Sequence, residues 1–111
     1  ARVLILGLTF KEDCPDLRNT RIVDVIGELE GYGIEVDTHD PWACKDEALR
    51  EHGIALVNPA PHNYDGIILA VAHSDFRKMG LEEIRSFGKC ETTPLFDLKG
   101  VLEERTSTIR L

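Results

Sequence analysis

Two stretches constrain the fold of this chain more than anything else in it. Arg2-Val-Leu-Ile-Leu-Gly7 and Tyr64-Asp-Gly-Ile-Ile-Leu-Ala-Val71 are apolar runs with almost no polar alternation. Each is too short for an independent helix. A strand that is apolar on both faces must be covered on both faces, which is the condition met inside a parallel sheet. A core strand opening at residue 2 is expected of a piece cut from a longer protein.

The segments between these runs supply the crossovers that parallel strands require. Residues 8–18 are polar and aperiodic and read as a loop. Asn19 or Thr20 is placed to cap a helix whose apolar stripe is Ile22, Val23, Val25, Ile26 and Leu29, with Gly31 and Gly33 as its stop. Ile34–His39 alternates as a strand and Asp40-Pro41 ends it. Residues 43–52 favour helix, with Gly53 as the C-terminal cap. Ile54–Val57 reads as a brief strand and 58–63 as a connector. The stretch His73–Gly88 holds a helix, placed by its pattern at 81–87. Pro94–Asp97 is a last core strand, and 108–111 adds a short edge strand. This alternation predicts an α/β fold, a Rossmann-like three-layer sandwich with a mainly parallel, doubly wound sheet. The length of 111 residues is that of a single domain spanning 1–111.

Composition narrows the partners. Twenty acidic side chains outnumber thirteen basic ones, for a formal net charge of −7, which repels nucleic acid. No apolar run approaches the roughly 18–20 residues of a membrane span, and no signal segment opens the chain. Cys14, Cys44 and Cys90 form no C-x-x-C pair, which is the usage of a reducing cytoplasm. The histidines and cysteines lack metal-ligand spacing, so no metal is expected.

Ligands of an open parallel sheet bind beyond the carboxyl ends of its strands. Three segments qualify. The first is the loop Gly7-Leu-Thr-Phe-Lys-Glu-Asp-Cys-Pro-Asp-Leu-Arg-Asn-Thr20. It is neither a G-x-G-x-x-G fingerprint nor a P-loop, so this domain is not expected to hold a dinucleotide in the usual way. Lys11 and Arg18 lie in it just before a helix N-terminus, an arrangement that attracts anions. The same two side chains are equally placed for surface ion pairs with Glu12, Asp13 or Asp16. The second segment is Ala70-Val-Ala-His-Ser-Asp-Phe76. There His73 is a candidate ligand contact, while Ser74 and Asp75 favour helix capping. The third is Phe96-Asp-Leu-Lys-Gly100, where Lys99 either faces the same crevice or is an ordinary exposed lysine. Trp42 reads as a packing residue over the sheet edge, with base stacking as the other use. Cys14 has no histidine near it in sequence to act as a base.

The ordered set Gly-Leu-Thr-Phe-Lys, Asp-Leu-Arg-Asn-Thr before an amphipathic helix, Asp40-Pro41 after the second strand and Phe96-Asp-Leu-Lys99 resembles the UDP-glucose/GDP-mannose dehydrogenase family. The likeness is to the family's carboxy-terminal, nucleotide-sugar-binding domain and runs over nearly the whole chain. Phe-Lys-Glu-Asp-Cys-Pro-Asp-Leu-Arg-Asn and Ala-Val-Ala-His-Ser-Asp-Phe are similar to the branch that oxidises UDP-N-acetylhexosamines for bacterial polysaccharides. The resemblance implies an NAD-dependent, two-step oxidation of the sugar C6 alcohol to a carboxylate. NAD is then held mainly by a separate amino-terminal domain. The catalytic cysteine, lysine and aspartate lie outside this chain, and a central region makes a homodimer. It further implies that Phe10, through its backbone, and Lys11 bind the UDP-sugar. Lys99 stands where the family often has an arginine against the same ligand, keeping the charge but not the bidentate geometry. Arg18 matches an arginine that reaches toward the nicotinamide end of NAD.

A second reading is a free-standing flavodoxin-like regulatory module of the receiver type. Receivers need a phosphorylatable aspartate at the end of the third strand. Ile54–Val57 is followed by Asn58-Pro59, without one.

Overall fold

The computed structural model describes residues 1–9, 13–18, 20–71, 73–90, 92–97 and the backbone of 109–110. Phe10, Lys11 and Lys99, three residues singled out above, and the candidate cap Asn19 lie outside the described residues. Strands β1 (Arg2–Leu6), β2 (Glu35–His39), β3 (Gly66–Leu69), β4 (Leu95–Asp97) and β5 (Ile109–Arg110) alternate with helices α1 (Ile22–Gly31), α2 (Lys45–His52) and α3 (Ser74–Arg85). The sheet order is β2-β1-β3-β4-β5, and every pairing is parallel. This is the doubly wound α/β arrangement expected from the two apolar runs, which become neighbours at its centre.

Both faces of β1 are covered, as its composition demanded. Leu4 and Leu6 pack with Ile67, Leu69 and Leu95 against Phe76 and Ile84 of α3. Ile5 points the other way, into a cluster with Ile26 of α1 and Ala48 of α2. Leu4, Ile5 and Leu6 have no exposed surface, and burying a side chain of this kind stabilises by about 1.5–3 kcal/mol. Of the stripe read on α1, Ile22, Val23 and Leu29 pack around buried Ile26, while Val25 is half-buried outside that cluster.

Three boundaries differ from the sequence reading. Ile54–Val57 is not a strand but a single bridge between Leu56 and Thr38. The Ile54 amide is committed to the Ala48 carbonyl in the C-terminal cap of α2, and Pro59 and Pro61 have no amide with which to continue a ladder. The helix placed at 81–87 begins at Ser74 instead, and Gly80 breaks it with φ 80° and ψ 165°. The run 64–71 forms a ladder only over 66–69, because Tyr64 and Asp65 turn toward Gly88 and Arg2.

The carboxyl ends of the strands form one level rim. Leu6 stands opposite both His39 and Leu69. Leu69 is opposite Asp97, and Asp97 opposite Arg110. From β1 the chain crosses to β2 and then steps back past β1 to β3. The reversal opens a crevice beyond the ends of β1 and β3.

Candidate functional site

The crevice is built first by a glycine. Gly7 leaves β1 with φ +103°, and a Cβ there would sit 2.6 Å from the Cβ and 2.7 Å from the amide nitrogen of Val71. Only glycine lets the exits of β1 and β3 come this close. The Leu6 carbonyl accepts the amides of Ala70 and Val71 at 2.9 and 3.3 Å, so the two exits are joined by backbone.

Beyond Gly7 a buried polar knot ties three segments together. Asp40, just past β2, accepts the Leu8 and Thr9 amides on Oδ2 at 2.6 and 3.0 Å. On Oδ1 it accepts the Trp42 amide at 2.7 Å. His73, just past β3, places Nε2 2.9 Å from the same Oδ2. Its Nδ1 accepts the Asp13 amide at 2.8 Å. Nδ1 therefore carries no hydrogen, and Nε2–H is the donor to Asp40. That hydrogen also lies toward Thr9 Oγ1, 3.0 Å from Nε2. His73 is fully buried. Its ring stacks on Trp42, centroids 6.0 Å apart, and meets Phe76 at 5.7 Å.

The electrostatics follow from this bonding. Burial pushes the Asp40 carboxyl up, but hydrogen bonds from His73 and from the Leu8 and Thr9 amides outweigh it and hold the group below the ordinary aspartate range. The Ser74 amide at the start of α3 lowers Asp13. Its hydrogen bond to Asp13 Oδ1 is 2.7 Å long.

Several expectations are corrected here. Neither Ser74 nor Asp75 caps α3, whose N-cap residue is His73, with no side-chain bond to the helix's own first amides. Asp13, sixty-one positions away, satisfies the Ser74 amide instead, and Asp75 accepts the Trp42 indole N–H at 2.8 Å. Trp42 does pack, but over His73 rather than along the sheet edge. His73 meets Asp13, the sequence neighbour of Cys14, across the crevice, but both its ring nitrogens are engaged and it is no base for Cys14. The N-cap residue of α1 is Arg21, without a side-chain cap bond, and not Thr20, which instead accepts the Ile22 amide at 3.3 Å and donates to the Leu8 carbonyl at 2.6 Å. Thr20 thereby closes the far end of the loop.

Arg18 follows an anchored neighbour. Leu17 is buried, and its carbonyl accepts from His52 Nε2 at 2.9 Å. The Arg18 guanidinium is 86% exposed, with Nε 3.1 Å from Asp16 Oδ1. This is the local ion pair anticipated as the alternative to a ligand role, and the Asp16 hydrogen bond raises Arg18 above its ordinary value. A pair this exposed is worth about 0–1 kcal/mol and is readily exchanged for another anion.

The sequence reading missed the partnership of Asp40 with His73. Its signal was present: a polar residue directly follows β2, another follows β3, and both strands flank β1. Among the described residues no group of histidine, cysteine and carboxylate side chains is placed to hold a metal. No helix among them is long and apolar enough to cross a membrane.

A parallel α/β sheet, with a polar crevice at the reversal between β1 and β3, places this chain in the class of Rossmann-like nucleotide-binding domains. The particular family is defined by comparison. Residues 4–104 match the UDP binding domain of the UDP-glucose/GDP-mannose dehydrogenase family, and the chain belongs to that family. It is 56% identical to a UDP-N-acetyl-D-glucosamine 6-dehydrogenase of Pseudomonas aeruginosa, over 100% of this chain and 26% of that protein. It is 53% identical to the enzyme of the same name from Salmonella typhi, over 98% of this chain and again 26% of the relative. The chain thus spans about a quarter of the length of these relatives. The solved structure of a UDP-N-acetyl-mannosamine dehydrogenase from S. aureus superposes with a TM-score of 0.68 at 23% identity, over 93% of this chain and 23% of that one. That match supports the fold.

Proposed function

We propose that residues 1–111 form the carboxy-terminal nucleotide-sugar-binding domain of an NAD-dependent, cytoplasmic 6-dehydrogenase. It oxidises the C6 alcohol of a UDP-N-acetylhexosamine to the uronic acid for polysaccharide synthesis. The observation that carries this reading is the identity of 56% and 53%, over essentially the whole chain, to two proteins named for that activity. The role of this domain is to bind. Lys11 follows Thr9 by two positions and Lys99 follows Asp97 by two. β1, β3 and β4 end at the same rim, and in this reading the two lysines supply the positive charge that meets the diphosphate of the ligand. Phe10 contributes its backbone beside Lys11.

The crevice does not fit a dinucleotide cradle. After Gly7 the chain continues with Leu8 and Thr9, both buried, where the fingerprint requires small, open turns. NAD, the hydride acceptor of such an oxidation, therefore belongs mainly to an amino-terminal domain. Arg18 is the residue of this chain that reaches toward it, exchanging Asp16 for the cofactor. The catalytic groups and the dimer-forming region also lie elsewhere in the protein. The receiver reading has no support: β3 is followed by Ala70 and Val71, again without an aspartate.

The full-length protein tests this. Calorimetric titration with UDP-glucose, UDP-N-acetylglucosamine and UDP-N-acetylgalactosamine is expected to favour an N-acetylhexosamine, and preference for UDP-glucose overturns the substrate assignment. Lys11→Ala removes a charge-assisted contact of about 1.5–3 kcal/mol, a loss of about 10- to 150-fold in affinity. Residues 1–111 alone are expected to bind the ligand weakly and to form no NADH.

A further inference from the structure

We infer that His52 is a positioning residue for the cofactor contact of Arg18. By holding the Leu17 carbonyl it fixes the peptide unit from which the Arg18 side chain departs. The inference rests on the reading that Arg18 reaches toward NAD.

The peptide unit between Leu17 and Arg18 is bonded at both poles. Its carbonyl oxygen lies 2.9 Å from His52 Nε2. A carbonyl can only accept, so Nε2 carries the hydrogen. Its N–H donates to Asp16 Oδ1 at 2.8 Å. A peptide unit is planar and rigid, so bonds on its two opposite edges set its orientation as well as its place. The residue that begins it is anchored too. Leu17 is buried and belongs to the cluster that contains Ala48 of α2 and Ile5 of β1. The guanidinium beyond is 86% exposed. Arg18 thus joins a fixed stem to a solvated head.

Helix α2 supplies this anchor without needing it for itself. Its last carbonyls are served by backbone, the Gly53 amide going to Leu49 and the Ile54 amide to Ala48 at 3.0 and 3.2 Å. The His52 side chain takes no part in that cap and serves a loop 35 positions earlier. Glu47, in the first turn of the same helix, adds its negative charge to the surroundings that keep Arg18 charged. Two side chains of one helix therefore act on Arg18, one through its neighbour's backbone and one through its field. A guanidinium is a planar fork that matches a pair of oxygens only from the right direction. A fixed stem narrows the arc through which that fork can swing and so lowers the ordering cost of binding. A binding group is held accurately only when its supporting residues are themselves hydrogen-bonded in place.

The test measures the Kd of NAD and of UDP-N-acetylglucosamine by calorimetry in the full-length protein. It compares wild type with Arg18→Ala, His52→Phe, His52→Gln and the double variant Arg18→Ala/His52→Phe. Phenylalanine fills the ring volume and donates nothing, whereas glutamine restores an N–H donor. For His52→Phe the Kd of NAD is expected to rise about three- to tenfold, the range of a single neutral hydrogen bond, while that of the nucleotide sugar stays within about twofold. His52→Gln is expected to recover most of the loss. In the Arg18→Ala background His52→Phe is expected to change NAD binding no further, because a residue that acts through another has no effect once the other is gone. If His52→Phe does not fold, His52→Leu takes its place with the same expectations. An unchanged Kd for NAD in the folded variant overturns the inference. So does an equal loss with and without Arg18, or a matching loss for the nucleotide sugar. If Arg18→Ala leaves NAD binding unchanged, the reading of Arg18 itself fails. If Arg18→Ala weakens it and His52→Phe does not, only the positioning role fails.

Discussion

Asp40 shows how much one side chain can organise. Its two oxygens take three backbone amides and an imidazole N–H, and its side chain has no exposed surface. An asparagine in its place retains one acceptor oxygen and must turn an amide toward one set of donors. A buried donor left without an acceptor costs about 1–3 kcal/mol, so Asp40→Asn is expected to destabilise the fold by about 2–3 kcal/mol in urea denaturation at neutral pH. The pH dependence follows from the direction of the carboxyl shift. Asp40 is lowered from the ordinary aspartate value of 3.8. Its stabilisation is therefore complete above that value and is lost as pH falls through the lower, folded-state value. The gap between wild type and Asp40→Asn should narrow below about pH 3.8. An equal gap at pH 7 and pH 3 would show that the carboxylate charge is not its source.

At the scale of elements, termini decided more than propensities. Helix α2 has Asp46 and Glu47 in its first turn and Arg50 and His52 in its last, matching the helix dipole at both ends. It stops at Gly53, φ 69°, whose amide returns to the Leu49 carbonyl. A side chain there meets no atom within 4 Å, so Gly53→Ala measures backbone strain with no clash. A loss of about 1 kcal/mol, seen as a lower Tm, is expected; an unchanged Tm would mean the cap relaxes. The same cap explains why Ile54–Val57 never becomes a strand. Its first amide has been taken by a helix, which a period-two pattern does not reveal. In α3 the polar start conceals the helix and Gly80 divides it. Phe76 and Ile84, its two buried residues, therefore lie on separate short segments, and no continuous stripe is visible in the sequence.

At the scale of the whole molecule, stability should be graded outward from β1. That strand is paired on both sides, and its last three residues are fully buried. β5, in contrast, is a two-residue strand at the sheet edge. Amide hydrogen exchange is expected to be slowest at Leu4–Leu6 and Ile67–Leu69, where opening requires global unfolding, and markedly faster at the edge. Comparable rates in β1 and β5 would contradict a core centred on the first two apolar runs. The acidic balance of the chain also acts at this scale. Three of these carboxylates are engaged near the crevice: Asp13 and Asp40 are bound by amides and Asp75 by an indole.

The order of residues alone determined the layered α/β fold, the two central strands, helix α1 and the three segments beyond the rim, because each depends on local periodicity or on a short apolar run that must be buried. The motif order also pointed to the family. Tertiary structure alone decided which carboxylate meets which amide. Asp13 with Ser74 and Asp40 with His73 are separated by 61 and 33 positions, and Gly7 is needed only because Val71 arrives beside it. A hydrogen bond requires two groups to meet within about 3 Å, and spacing along a chain carries no record of such a meeting once a crossover intervenes.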